Sequence, residues 1–187
     1  MQTARKGEIN LIILGLDAAT RKSGISVFDN NQLIYYEKYE IDKKISSPHE
    51  RMKLLYNELK LLHDKYKYDK IIMEDVPINS RNNLQVGKTL AILQGMIFAL
   101  CEEFEIEQIL YLPSEWRSKV GTYGGTREST KRDYQKEKAV SLVNEIYKLD
   151  LQYYKNENKE HNSDDDVAEA ILIGRAYLLT REDSCGF

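Results

Sequence analysis

Apolar positions along the chain change their period several times, and each change predicts an element. Residues 11–14 are an unbroken apolar run, followed by Gly15 and Leu16 and ended by Asp17, and residues 23–28 begin a second β-rich run with Gly24 at its head. That pattern predicts a buried strand, a tight turn and a partner strand. Asp29, Asn30 and Asn31 mark a turn, and the alternating, tyrosine-rich residues 32–41 predict a third antiparallel strand. Ser47, Pro48 and Glu50 form a helix-start signature, and Met52, Leu55, Leu59, Leu62 and Tyr66 follow at helical spacing, so one face packs on the sheet. His49 and His63 lie in this helix as surface or boundary residues. Residues 70–75 predict a fourth strand, with Ile71, Ile72 and Met73 as its core and Glu74 as its last strong position. Asp75 points the opposite way in a strand, so only one of these two acids can face a given site.

Residues 79–83 read as a polar loop and 84–104 as a long helix with two stripes. Leu90, Leu93, Ile97, Leu100 and Phe104 make the first, and Gly87, Ala91 and Gly95 make the second, of small residues four apart. Two apolar faces mean burial on both sides, either as a central core helix or against the sheet and a twofold partner; the second arrangement is preferred. Residues 107–112 predict a fifth strand, closed by Pro113, before a short helical turn containing Trp116, read as a packing anchor. The order of elements is an α/β arrangement in which an antiparallel meander joins parallel strands in a five-stranded mixed sheet flanked by helices.

Composition narrows the class. The 187 residues suit one domain spanning 1–187, and 42% hydrophobic with 30% charged residues is a globular rather than a disordered balance. Unbroken apolar runs are too short to span a bilayer, so no membrane partner and a cytoplasmic location are expected. Cys101 and Cys185 have neither the number nor the spacing of a disulfide framework or zinc site, and read as free thiols. A net charge of −3 argues against a protein that coats nucleic acid nonspecifically. Locally the sign reverses. Between 117 and 138 stand seven basic residues, Arg117, Lys119, Arg127, Lys131, Arg132, Lys136 and Lys138, against three acids, with Gly121, Gly124 and Gly125 supplying a flexible loop. Such a run is ordinarily a solvated helix face, but beside flexible glycines and Tyr123 it resembles a surface for phosphate backbones.

The last helix is expected to start at Asn162 or Ser163 and to run through Asp164, Asp165, Asp166 and Glu169 into an apolar stretch. Acids in a first turn complement the helix dipole, and Asp17 at a turn can act as a cap, so each acid has an ordinary reading. Glu169 escapes it, because it lies one turn further in. Asp166 and Glu169 are three apart and Asp165 and Glu169 four apart, so either pair projects two carboxylates from one helix face. With Asp17 and Glu74 they make an oxygen-donor inventory for two hard divalent ions such as Mg²⁺, the chemistry of phosphodiester hydrolysis.

These residues together resemble the ribonuclease H-like superfamily and, within it, RuvC-type Holliday junction resolvases, especially those of bacteriophages and their Gram-positive hosts. The resemblance is carried in order along nearly the whole chain. Its parts are Gly15-Leu16-Asp17 with Gly24-Ile25-Ser26-Val27, Met73-Glu74, the helix with Gly87 and Gly95, the segment from Pro113 to Gly121 with Trp116-Arg117, and Asp166-Val167-Ala168-Glu169-Ala170. It implies a ribonuclease H-like fold and a homodimer that binds four-way or other branched DNA and makes paired nicks with Mg²⁺, Mn²⁺ substituting, two ions per site. Asp17, Glu74, Asp166 and Glu169 match the family's metal-binding acids; the family more often has Asp where Glu169 stands. Asp165 is a rival ligand and His161 a lesser one. Arg117, Lys119, Arg127, Lys131, Arg132 and Lys138 are the expected DNA contacts. A ribonuclease H acting on RNA–DNA hybrids and a noncatalytic DNA-binding module of the same fold are the competing functions. An actin-like ATPase would need a second phosphate loop and a longer chain.

Overall fold

A computed structural model describes residues 10–76, 84–155 and 162–184. The predicted loop 79–83, His161 and Cys185 lie outside the described residues. Five strands form one sheet in the order β3-β2-β1-β4-β5, with β1 at Ile12–Asp17, β2 at Lys22–Asp29, β3 at Gln32–Glu40, β4 at Lys70–Glu74 and β5 at Glu107–Tyr111. The first three are antiparallel, whereas β1, β4 and β5 run parallel, which is the predicted meander joined to a parallel continuation. Helices α1 (Pro48–Tyr66), α2 (Leu84–Phe104), α3 (Pro113–Lys119), α4 (Arg132–Tyr147) and α5 (Asp165–Ser184) complete the order.

The period-two alternation of the strands divides the core in two. Leu14, Leu16, Ile25, Val27, Ile71 and Met73 face α1 and α2, where they pack with Leu55, Leu59, Leu93, Ile97 and Leu100. Ile13, Phe28 and Ile72 face the other way, toward α4 and α5, with Trp116, Val143, Ile171 and Leu172. Burial of these apolar side chains is the main force holding helices on both faces. Helix α1 starts as its sequence predicts: the Ser47 hydroxyl accepts the Glu50 N–H, Pro48 opens the first turn, and the chain leaves through Lys67 in the left-handed region.

One expected boundary is corrected. Helix α5 begins at Asp165 rather than at 162 or 163, because the residues before it are fastened to the preceding loop: the Ser163 hydroxyl accepts the Tyr154 N–H, and Asp164 exchanges backbone and side-chain hydrogen bonds with Gln152. Helix α2 is, by length and composition, apolar enough to cross a membrane, although its unbroken apolar runs are short. The cause is its double stripe. Leu93, Ile97, Leu100 and Cys101 are buried in the core, while Ala91, Ile92, Gly95 and Phe98 remain exposed. Among the described residues a second apolar face of this helix is exposed, so it is not buried on both sides.

Candidate active site

Alternation also decides which acids meet. Asp17 continues the face of Ile13 and Gly15, and Glu74 continues that of Ile72, so both carboxylates emerge on the side covered by α5. Strands β1 and β4 are parallel neighbours with Leu16 opposite Met73, which brings these two ends side by side. Asp75 turns to the opposite face, where it accepts a hydrogen bond from Gln94 of α2 at 3.2 Å. The turn after Asp17 does not depend on that acid. Ser23 closes it, accepting the Ala19 N–H at 3.1 Å and donating to the Ala19 carbonyl at 2.8 Å.

Helix α5 reaches Asp17 because the sheet beneath it has been cleared of side chains. Gly24 stands opposite Asp17 across β1 and β2, and a β-carbon there would lie 1.8 Å from the Asp166 carbonyl oxygen. At Gly15 it would lie 2.4 Å from the Ala170 carbonyl oxygen, which receives the Ser26 hydroxyl at 3.0 Å. The smooth seat formed by Gly15, Gly24 and Ser26 therefore carries the backbone of Asp166 and Ala170. Only the docked helix gives these small residues their meaning.

The three consecutive aspartates lie in three different surroundings. Asp164 holds Gln152 and forms an ion pair with Lys38 at 3.4 Å. Asp165, only 3% exposed, pairs with the buried Lys136. Burial alone would lower the proton affinity of Lys136, but the hydrogen bond and charge of Asp165 outweigh it and hold that affinity above normal. Asp166 is left facing the strand ends, its pKa raised to about 6 by burial and then by the charge of Asp165. Asp17 is raised well above the usual carboxylate range, first by burial, then by the charges of Glu169, Asp166 and Glu74. Thus the structure brings together Asp17, Glu74, Asp166 and Glu169 and commits Asp165 to a lysine.

Two residues of α3 complete the cluster. Trp116, fully buried, donates its indole N–H to Glu74 Oε2 at 2.8 Å, so the expected packing anchor also orients a carboxylate. Arg117 lies against the same ring, 4.3 Å from its centroid, and donates from Nη2 to Glu169 Oε1 at 2.8 Å, with Nη1 3.6 Å from Glu74 Oε2. Glu74 is raised above the usual range by burial, against the opposing pull of Arg117 and Trp116. Sequence reasoning missed Lys136 and Trp116 as partners of the acids, since one sits in a basic run and the other reads as core. The remaining expected contacts, Lys119, Arg127, Lys131, Arg132 and Lys138, are exposed; Lys119 reaches Thr180 and Lys131 reaches Glu128.

Hard oxygen donors crowded around a carboxylate that resists ionisation fit a divalent cation in charge and chemistry. Among the described residues no three of these acids converge tightly enough to enclose an ion as they stand. Glu74 and Glu169 are engaged by Arg117, and Asp165 by Lys136.

The chain is similar along most of its length to known proteins. It is 25% identical over 176 residues, 92% of this chain and 99% of the relative, to the crossover junction endodeoxyribonuclease RuvC of Dictyoglomus thermophilum. Its fold is similar to that of Thermus thermophilus RuvC in complex with a Holliday junction substrate, with a TM-score of 0.68, 12% identity and coverage of 92% of this chain and 96% of that one. It is similar also to the yeast mitochondrial Holliday junction resolvase Ydc2, with a TM-score of 0.56, 17% identity and coverage of 91% and 78%. No family profile matches the chain.

Proposed function

We propose that this chain, a RuvC-type protein of ribonuclease H-like fold, is a nuclease that resolves Holliday junctions, and that it does so by divalent-metal-dependent, paired hydrolysis of phosphodiesters in branched DNA. The observation that carries the site assignment is the meeting of Asp17, Glu74, Asp166 and Glu169 at the ends of β1 and β4 and the start of α5. Asp17 is central, since the charges of the other three all act on it. These four would hold two Mg²⁺ ions, or Mn²⁺ in their place, and the chemistry such a pair supplies is activation of a water and stabilisation of the leaving oxygen.

The protein's own residues do the rest. Trp116 fixes the direction of Glu74, Lys136 removes Asp165 from the cluster, and the glycine seat sets how near Asp166 lies to Asp17. Arg117, the cation paired with Glu74 and Glu169, would be the basic residue at the acid cluster itself. Arg127, Lys131, Arg132 and Lys138, exposed on the loop and on α4, would grip the flanking strands as phosphate contacts. Paired nicks require two such sites. The open face of α2, with Ala91, Gly95 and Phe98 beside Leu110 of β5, is the surface proposed for a homodimer.

The test is cleavage of a labelled immobile four-way junction, a matched linear duplex and an RNA–DNA hybrid, each with Mg²⁺ and with EDTA. Metal-dependent, symmetric nicks confined to the junction are expected. Hybrid cleavage would move the assignment to a ribonuclease H, and binding without cutting of any substrate would make the chain a DNA-binding module.

A further inference from the structure

We infer that Arg117 is a resident stand-in for the metal: in the metal-free protein its guanidinium neutralises Glu74 and Glu169, and it must release them when ions bind. The inference rests on the reading of those glutamates as ion ligands. It begins from a crowding that needs a counter-cation. Glu169 is only 12% exposed and acts on Asp17 with Asp166 and Glu74, so several like charges share a poorly solvated space. Among the described residues the cation reaching both glutamates is Arg117, at 2.8 Å and 3.6 Å, with its own side chain 13% exposed. A guanidinium fork can span two carboxylates where a lysine, a single point of charge, serves one direction at a time.

Two further observations mark this hold as provisional. The contacts are unequal, one a direct hydrogen bond and the other a longer ion pair. In addition, Arg117 Nε is buried without a hydrogen-bond partner among the described residues, an arrangement that a brace optimised for permanence would avoid. The Trp116 ring 4.3 Å away offers the guanidinium a flat apolar support along which it can shift without losing all its contacts. Two of the four acids, Glu74 and Glu169, are thus engaged by the arginine. Guanidinium and ion compete for the same carboxylates and repel each other, so the arginine weakens metal binding while it stabilises the metal-free fold.

The experiment is calorimetric titration of Mn²⁺ into the full chain without DNA, for wild type, Arg117→Gln and Arg117→Lys, with melting temperatures measured in EDTA and in Mn²⁺. A charge-assisted hydrogen bond corresponds to roughly a tenfold change in an equilibrium constant. Arg117→Gln is therefore expected to bind Mn²⁺ about tenfold more tightly than wild type and to melt lower in EDTA, with Arg117→Lys between the two. If Arg117→Gln does not fold without metal, Arg117→Lys carries the test through a larger Mn²⁺-induced rise in melting temperature than wild type shows. Unchanged or weaker Mn²⁺ binding in the variants would make Arg117 a fixed brace and overturn this inference alone. Failure of the wild type to bind Mn²⁺ would overturn the proposed metal chemistry and this inference with it.

Discussion

Replacing Gly24 by alanine should move the helix that carries half the acid cluster. The added β-carbon would lie 1.8 Å from the Asp166 carbonyl oxygen, 2.3 Å from its carbonyl carbon and 2.8 Å from the Val167 nitrogen. All three are backbone atoms, so no side chain can swing aside. Ordinary contact between such atoms is about 3.5 Å, and relief of the 1.8 Å approach therefore requires α5 and β2 to separate by roughly 1.7 Å. Overpacking of this kind costs about 3 kcal/mol at its upper end, which a domain with about 5–15 kcal/mol of stability survives. The same displacement carries Asp166 away from Asp17, and misplacement of about 1 Å costs on the order of 10²-fold in rate. The assay is junction cleavage in Mg²⁺ at a temperature where circular dichroism shows the variant folded, with urea denaturation for stability. Gly174→Ala is the control, since its β-carbon would meet a side chain, the Phe28 ring at 2.7 Å, rather than backbone, about two turns along α5 from Asp166. Wild-type cleavage and stability in Gly24→Ala would refute the seat as the device that sets acid spacing.

Asp17→Asn should abolish cleavage, leave junction binding largely intact and raise the melting temperature in EDTA; loss of folding and binding together would assign Asp17 to structure. Because the folded-state pKa values of Asp17 and Asp166 are raised, the folded protein binds more protons than the unfolded chain, so stability in EDTA should increase as pH falls from 7 toward 5 through the value of about 6 for Asp166. A melting temperature that falls over that interval would contradict these assignments. Lys136→Met should cost about 3–5 kcal/mol by stranding buried Asp165, measured by urea denaturation, and Lys136→Met with Asp165→Leu should recover most of it. Asp165→Asn should keep measurable cleavage where Asp166→Asn loses it; the reverse would exchange their roles. Phe98→Asp, on the open face of α2, should yield a monomer in sedimentation and abolish symmetric nicking, and an intact dimer would place the interface elsewhere.

Much of this was legible in the chain, for reasons that lie in short-range physics. The apolar run ended by Asp17, the glycine-headed second strand and the alternation of 32–41 specify a meander with little help from distant residues. The run ending at Glu74 fixes a parallel neighbour, and period two then decides that Glu74 and not Asp75 shares a face with Asp17. The aspartates 164–166 were not separable in this way. Any helix start welcomes acids, and what distinguishes them is contact with Lys38 and Lys136, which are far off in sequence and look like ordinary surface lysines. Arg117 was legible as a basic residue for DNA, but its engagement with two glutamates depends on how α3 packs, which no local pattern specifies. The second stripe of α2 was read as a buried face, and among the described residues it is exposed, because helical spacing shows that a face is apolar but not what covers it.

Helix α5 is the last of the ten described elements, yet it lies at the centre of the molecule, in contact with β1, β2, β3, β4, α3 and α4. Two of the four acids arrive only with it. During synthesis the sheet and the first four helices can emerge and begin to pack while Asp17 and Glu74 lack their partners. On the proposed site, the growing polypeptide would be unable to cut until α5 settles onto the glycines of the first two strands.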